Sequence, residues 1–423
     1  MNKKSNNKKN KNDAFSEMPN VISLKRKKIG ENFERYNYYD RCLNNYYNDF
    51  YNSVKKYEEF EFDNGCFINR LFMFSLFTFN IDNNKLLKTD KSAIDIILST
   101  YNEFLELYYN LNFNEKSFKD KKLVESMNYA FLGGGKRIRA FLIFLVSYLY
   151  MPDYYQFYYV NLFSLCIELI HSFSLVHDDL PSIDNDEIRR YKPSTWKKYG
   201  EATALLTGDA LLNQSYSFLH YVFNNACNVK MDFIGNLLNN YDQNKYSLVM
   251  NEVDELRRLG MAAFLLSDAT GIDGMISGEL DDTVINPKKL DIDKIKDIYY
   301  KKTTKLIEVA MIIPSILIPT NKKIVSIINK IANKLGFAYQ LVDDLLEYTS
   351  TTEQIGKSVD SDKKNNKITY VSLVGLDNAK AELANIRKYI LHKCKELEKF
   401  DELDFKRVRF FKKFMMYIID RDK

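Results

Sequence analysis

Seven prolines and fifteen glycines are all that punctuate a chain of 423 residues. Between them, apolar side chains recur every three or four positions. Ile97, Tyr101, Leu105 and Tyr108 fall on one helical face by this spacing. The long stretches show no period-two alternation, so the pattern leaves little room for strands. Many glycines sit in short clusters, Gly133-Gly134-Gly135 and Gly271 with Gly274 and Gly278. The spacing predicts an all-α domain of roughly ten helices from Ile94 onward.

The regions outside this pattern carry less information. Residues 1–38 are rich in Lys and Asn and poor in apolar side chains, which predicts a disordered tail. Nine Lys/Arg against two acids in the first thirty residues account for the whole formal net charge of +5. The remainder is close to neutral, so no nucleic-acid partner is expected. Residues 39–93 are dense in aromatics and read as a helical extension without assignable chemistry. Residues 224–251 are polar and Asn-rich, and read as an inserted surface loop between two helices. Five cysteines without CxxC spacing argue against a zinc site and a disulfide framework, and fit a reducing compartment. The expected address is intracellular, in the cytosol or a plastid-type organelle. No transmembrane segment is expected, because no apolar run reaches bilayer length.

One stretch concentrates the chemistry. An apolar run ends in His171-Ser172-Phe173-Ser174-Leu175-Val176-His177-Asp178-Asp179, followed by Asp184, Asp186, Glu187 and the pair Arg189-Arg190. Carboxylates at the end of a buried helix are costly unless something cationic neutralises them. An oxygen-only ligand set suits Mg²⁺, which shares its remaining positions with substrate phosphates. The two arginines suit the other phosphate oxygens. On an unbroken helix Asp184 would be turned roughly 240° from Asp178. Pro181 breaks the turn and offers a way to bring Asp184 round. Taken alone, the cluster is also compatible with a solvated acidic helix end.

Two further constellations add weight. In Gly133-Gly134-Gly135-Lys136-Arg137-Ile138-Arg139 the glycines allow close backbone approach to an anion. Helical spacing there would put Lys136 and Arg139 one turn apart on one side. Gln340, Asp343, Asp344 and Glu347 recur at three- and four-residue steps, as on one face of a helix. Gly278-Glu279, Asp282, Lys302-Thr303, Lys357, Asp362 and Lys367 supply more charge along the chain.

With these motifs in this order, the chain from Ile94 to its end resembles the trans-isoprenyl diphosphate synthases, or polyprenyl synthetases. The Asp178-Asp179-Leu180-Pro181-Ser182-Ile183-Asp184 spacing and Gly208-Asp209-Ala210-Leu211-Leu212 are similar to the bacterial farnesyl and plant geranylgeranyl diphosphate synthase branch. The resemblance implies helices around a central deep cavity and a homodimer. It implies condensation of isopentenyl diphosphate with an allylic diphosphate to a trans-prenyl diphosphate, C15 or C20. It further implies three Mg²⁺ ions, with Mn²⁺ as a substitute, held by Asp178, Asp179 and Asp184 from one side and Asp343, Asp344 and Glu347 from the other. Gly135, Lys136, Arg139, His171 and Arg190 would hold isopentenyl diphosphate. Arg189, Lys302, Thr303, Gln340, Lys357 and Lys367 would hold the allylic diphosphate. Phe173 and Ser174, before Asp178, would limit product length. Four residues depart from the family's pattern: Ala140 for a proline, Glu279 for Gln, Thr304 for glycine and Glu347 for Asp.

Other functions fit the sequence less well. A longer-chain polyprenyl synthase differs only in the depth of the tail channel. A terpene cyclase takes no second diphosphate and has no use for the site at Lys136 and Arg139. A non-catalytic partner subunit usually lacks the acidic clusters that are present here.

Overall fold

The computed structural model describes residues 91–112, 119–152, 154–238, 246–284, 290–349 and 368–421. The expected tail over 1–38 and nearly all of the extension over 39–93 lie outside them, as do Asp362, Lys357 and Lys367. The chain divides into two compact units. Of the first, the described residues are 107–112 and 119–124, the end of one helix and the start of the next. The second spans 80–106 and 125–423 and carries the candidate site.

Helices dominate, as the spacing predicts. In chain order they are α1 (Lys91–Asn112), α2 (Lys121–Phe131), α3 (Ile138–Tyr150) and α4 (Tyr154–Asp178). A two-residue hairpin, β1 (Ile188–Arg189) with β2 (Lys192–Pro193), is followed by α5 (Thr195–Tyr199). Then come α6 (Glu201–Leu238), α7 (Tyr246–Thr270), α8 (Met275–Val284) and α9 (Ile292–Tyr299). A single π-helical turn, Tyr300–Thr304, joins α9 to α10 (Lys305–Leu317). The rest is α11 (Lys322–Thr349), α12 (Tyr370–Val374), α13 (Leu376–Leu397) and α14 (Phe405–Ile419).

α3 is the innermost element. Every residue from Ile138 to Leu149 is buried, as expected of a helix apolar all round. It packs against α4 and α10, and α4 packs along α6. Phe141 meets Phe414 of α14 at 4.7 Å between ring centroids. Burying each such side chain stabilises the fold by about 1.5–3 kcal/mol. The site therefore rests on a rigid scaffold: its main motifs sit at the N-terminus of α3, at the C-terminus of α4, and on α11.

Two stretches differ from what their composition alone suggests. Within the Asn-rich segment 224–251, residues 224–238 continue α6 and 246–251 open α7 instead of forming a loop, and 239–245 lie outside the described residues. Lys230, 2% exposed, ties the two helices by reaching Glu252 at 2.5 Å and Glu255 at 2.8 Å. Over these two flanks polar composition suggests a loop, and tertiary ion pairing overrides it. Two helical stretches are also long and apolar enough to cross a membrane by length and composition, Gln156–Asp178 and Ser247–Val284. The first is 78% buried within the protein, as a core helix is.

Candidate active site

α4 ends where the carboxylates begin. After Asp178 the chain coils back on itself: the Asp184 amide donates to the Asp178 carbonyl at 2.9 Å, and the Asn185 amide to that of Leu180 at 3.0 Å. Asp184 is thereby folded back beside Asp178, as the break at Pro181 allows. Burial pushes the Asp178 carboxyl well above the usual carboxylate range. Glu279 and Asp184 push it further, against Lys302 and Arg189.

Lys302 stands among these acids on the π-helical turn, a feature that often marks functional sites. Its Nζ lies 2.6 Å from Glu279 Oε2 and 2.7 Å from Asp282 Oδ2. Burial would strip its proton, but Asp282, Asp178, Glu279 and Asp184 hold it charged, well above the usual lysine range. One ammonium thus faces four carboxylates. The surplus of negative oxygen is what a divalent cation with oxygen ligands neutralises, so the residues present fit Mg²⁺.

The other predicted metal ligands are engaged elsewhere. Asp179, 2% exposed, binds Arg189 through Nε at 2.9 Å and also through Nη2. Its carboxyl is nevertheless pushed up to about 6, by burial first. Asp343 is turned to Arg421 at 2.7 Å. Asp344 accepts from the Tyr299 hydroxyl and from Gln340 Nε2 at 3.3 Å. Asp343 and Asp344 therefore do not share one direction, although both lie on α11. Glu347 is half-buried one turn further on. Among the described residues no three acids, histidines or cysteines converge as a metal-ligand group.

Gln340 is oriented at both ends, because its carbonyl accepts from the Thr303 hydroxyl at 2.9 Å. The Tyr299 hydroxyl in turn accepts from the Tyr370 amide at 3.0 Å. Burial and Asp344 hold the Tyr299 pKa well above the ordinary value, so this hydroxyl keeps its proton and donates it. Thr303, Gln340, Asp344 and Tyr299 form one connected chain of hydrogen bonds. Thr303 and Gln340 were predicted as ligand-binding residues, whereas Tyr299 had no motif to reveal it.

A second wall is cationic. His171 Nε2 lies 3.3 Å from Arg139 Nη1. Burial, then Arg139, Arg190, Arg137 and Arg189, hold the imidazole well below its usual pKa, so it is neutral. Burial and Arg137 likewise lower Arg190 to about 10. Arg139 Nε is buried with no hydrogen-bond partner. Positive charge and open donors with little compensation make this a receptor for an anion.

The glycine turn builds that wall. Gly135 has φ +127°, and a Cβ there would stand 2.6 Å from Arg190 Nη2. Any side chain would displace the guanidinium, which donates to the Gly134 carbonyl. Arg190 and Tyr191 form the hairpin tip with φ 53° and 63°, a twist suited to two-residue hairpins but unfavourable without glycine. Lys136 departs from expectation. α3 starts only at Ile138, so Lys136 lies exposed in the preceding loop and is not one helical turn below Arg139. Between them, Arg137 went unassigned by sequence reasoning. It is 2% exposed and anchors the turn to Asn102 at 2.9 Å and Glu168 at 3.5 Å. Glu168 also accepts from the Ala140 amide at 3.2 Å, a bond that proline at this position could not supply.

Of the two residues expected to limit product length, Phe173 is 6% exposed and stands edge-on to His177, 5.0 Å between ring centroids. Ser174 is half-buried and donates to the His171 carbonyl at 2.9 Å.

Known proteins resemble this chain over most of its length. A family model described as polyprenyl synthetase matches residues 120–403. Farnesyl diphosphate synthase of Bacillus subtilis is 31% identical over 293 residues, 69% of this chain and 85% of that protein. Geranylgeranyl pyrophosphate synthase 3, chloroplastic, of Arabidopsis thaliana is 31% identical over 62% of this chain and 66% of that protein. A crystal structure of geranyltransferase from Helicobacter pylori, complexed with magnesium and isoprenyl diphosphate, shares the fold with a TM-score of 0.59. It is 24% identical and covers 76% of this chain and 96% of its own.

Proposed function

Because the chain belongs to the polyprenyl synthetase family, we propose that it condenses isopentenyl diphosphate with an allylic diphosphate to give a C15 or C20 trans-prenyl diphosphate. The observation that carries this is the pairing of two unlike walls: one rich in arginine, the other in carboxylate. An arginine wall takes a diphosphate directly, and an over-negative wall takes one only together with divalent cations. A cyclase, handling one diphosphate, needs only the second.

On the cationic wall Arg139, His171 and Arg190 hold isopentenyl diphosphate, with Lys136 reaching in from the exposed loop. On the acidic wall Lys302, Thr303 and Gln340, together with Arg189, hold the allylic diphosphate. Asp178, Asp179 and Asp184, together with Asp343, Asp344 and Glu347, would hold Mg²⁺ once Asp179, Asp343 and Asp344 release their present partners. When bound, the cation neutralises the diphosphate and assists its departure. In the reaction the allylic C–O bond breaks and diphosphate leaves with the electron pair. The isopentenyl double bond attacks the allylic carbon, and the proton then lost passes to the released diphosphate. The oriented dipoles of Thr303 and Gln340 favour the positive charge that develops.

A homodimer fits the apolar side chains that α6 and α7 leave exposed, Leu206 at 58% and Phe264 at 59%.

Incubation with isopentenyl diphosphate and each allylic primer, products resolved by chain length, tests the proposal. C15 or C20 is the expected product, and no product from any primer overturns it. Phe173 serves as the floor of the tail channel in this reading. Phe173→Ala is expected to lengthen the products, and an unchanged distribution removes it from that role.

A further inference from the structure

The hairpin that carries Arg189 and Arg190 has a second face. Between it, the end of α2 and the last turns of α4 lies a cavity of about 40 Å³. Ser172 of α4 and Ser194, just after β2, both line it. They are 3% and 1% exposed, and neither hydroxyl has a hydrogen-bond partner. Ser172 follows His171, so it stands about 100° further round α4 than the imidazole of the arginine wall. Neither His171 nor Arg139 lines the cavity. Ser194 precedes α5 but makes no capping bond with it. Buried hydroxyls are rarely left unpaired, and two opening on one cavity mark a site with an occupant.

The surrounding charges decide the sign of that occupant. Arg189, Arg190 and Lys192 face a single acid among the described lining residues, Asp179. Asp179 is bound to Arg189, which leaves Arg190 and Lys192 without an acid on the cavity wall. A further cation stands next to it: the Lys198 ammonium lies 3.8 Å from the ring centroid of Tyr129, another lining residue. The balance is positive, so the two hydroxyls serve as donors to an anion. Size narrows the choice. A single water occupies about 10–15 Å³ of such a volume, so the cavity takes about three waters or one tetrahedral oxyanion in their place. Leu175 and Val176 supply apolar wall, which offers nothing to the second phosphoryl group of a diphosphate.

We propose that this cavity is a binding site for inorganic monophosphate, built on Ser172 and Ser194 behind the arginine hairpin. Arg190 joins it to the front of the hairpin, because the same side chain lines the cavity and donates to the Gly134 carbonyl of the glycine turn. Phosphate held behind the hairpin answers part of the Arg190 charge and so weakens the hold on isopentenyl diphosphate in front. By linkage the weakening is mutual. This coupling, unlike the site itself, rests on the assignment of isopentenyl diphosphate to the arginine wall.

Calorimetric titration of inorganic phosphate into the full-length protein, with isopentenyl diphosphate saturating and no metal present, tests the site. Wild type is expected to bind one phosphate per chain. The double variant Ser172→Ala, Ser194→Ala is expected to bind it at least about tenfold more weakly, since two hydrogen bonds to a charged group are lost. Its Tm without phosphate should match or exceed that of wild type, because two unpaired buried hydroxyls are gone. Lys192→Gln, at an exposed position, should weaken phosphate by about threefold, the worth of one exposed charge. No binding to wild type would mean that the cavity holds water alone, and equal binding by all three proteins would place the anion elsewhere; either result overturns the site. In turnover assays phosphate should raise the KM for isopentenyl diphosphate about fivefold more in wild type than in the double variant, the low end of ordinary coupling. An equal rise removes the coupling. If isopentenyl diphosphate itself does not bind, the arginine-wall assignment falls, and titration of the three proteins with phosphate alone still decides the site.

Discussion

Around His171 stand the guanidiniums of Arg139, Arg190 and Arg137, with Arg189 at the boundary between the walls, and around Lys302 stand four carboxylates. The two groups differ in how their charge is answered. On the arginine side Glu168 is anchored behind Arg137, and Arg139 keeps a buried donor with no hydrogen-bond partner. On the carboxylate side each cation is held by an acid: Lys302 by Glu279 and Asp282, Arg189 by Asp179, Arg421 by Asp343. The first wall is ready for an anion as it stands. The second must exchange its internal ion pairs before it can receive one. Buried ion pairs are costly to break singly and cheap to exchange for equivalent partners, so cation and anion should enter that wall together.

Removing a carboxylate from the second wall tests the comparison most severely. Asp178→Ala is expected to lower kcat by about a thousandfold or more, the scale of losing charge stabilisation in the transition state. Far-UV circular dichroism should stay unchanged, because Asp178 closes α4 without supporting the core. Near-normal turnover in saturating Mg²⁺ would mean that Asp178 is not a ligand.

The first wall should respond differently. Arg139→Gln removes a charge-assisted contact worth about 1.5–3 kcal/mol, and the KM for isopentenyl diphosphate is expected to rise by about tenfold to a hundredfold. The KM for the allylic substrate should hardly move. An equal rise for both substrates would erase the distinction between the walls.

How much of this contrast was legible in the sequence depends on the range of the cause. Helices follow from local spacing, and the break at Pro181 that folds Asp184 back on Asp178 is also local. The glycine turn and the arginine pair could be read as anion-binding because residue type alone carries the chemistry. Long-range partnerships could not. Nothing near Asp343 announces Arg421, and nothing near Asp344 announces Tyr299, since those side chains meet only when α9, α11 and the C-terminus pack. Helical spacing placed Lys136 beside Arg139, but the left-handed backbone of Arg137, φ 49°, delays the helix to Ile138. The helical flanks of the Asn-rich segment, 224–238 and 246–251, escaped the sequence for a similar reason: Lys230 finds its acids more than twenty residues later, across α6 and α7.

The smallest expected effect concerns pH and reads the burial and positive field at His171 together. His171 has a usual pKa of 6.5 and is held well below it by burial and by Arg139, Arg190, Arg137 and Arg189. Its folded form binds a proton more weakly than its unfolded form. The stability this represents is present above the unfolded pKa of 6.5 and is lost as pH falls toward the folded pKa. Each pH unit in that window removes at most about 1.4 kcal/mol, a Tm change of a few degrees in a chain this large. Asp178 and Asp179 act in the opposite sense, because their raised pKa values favour the folded chain as protons bind. The difference between wild type and His171→Gln cancels those shared terms. The Tm of His171→Gln relative to wild type should therefore climb as pH is lowered from about 8 to about 5. A constant difference across that range would mean that neither burial nor the neighbouring guanidiniums perturb the imidazole, and the arginine wall would lose its claim to an unanswered positive charge.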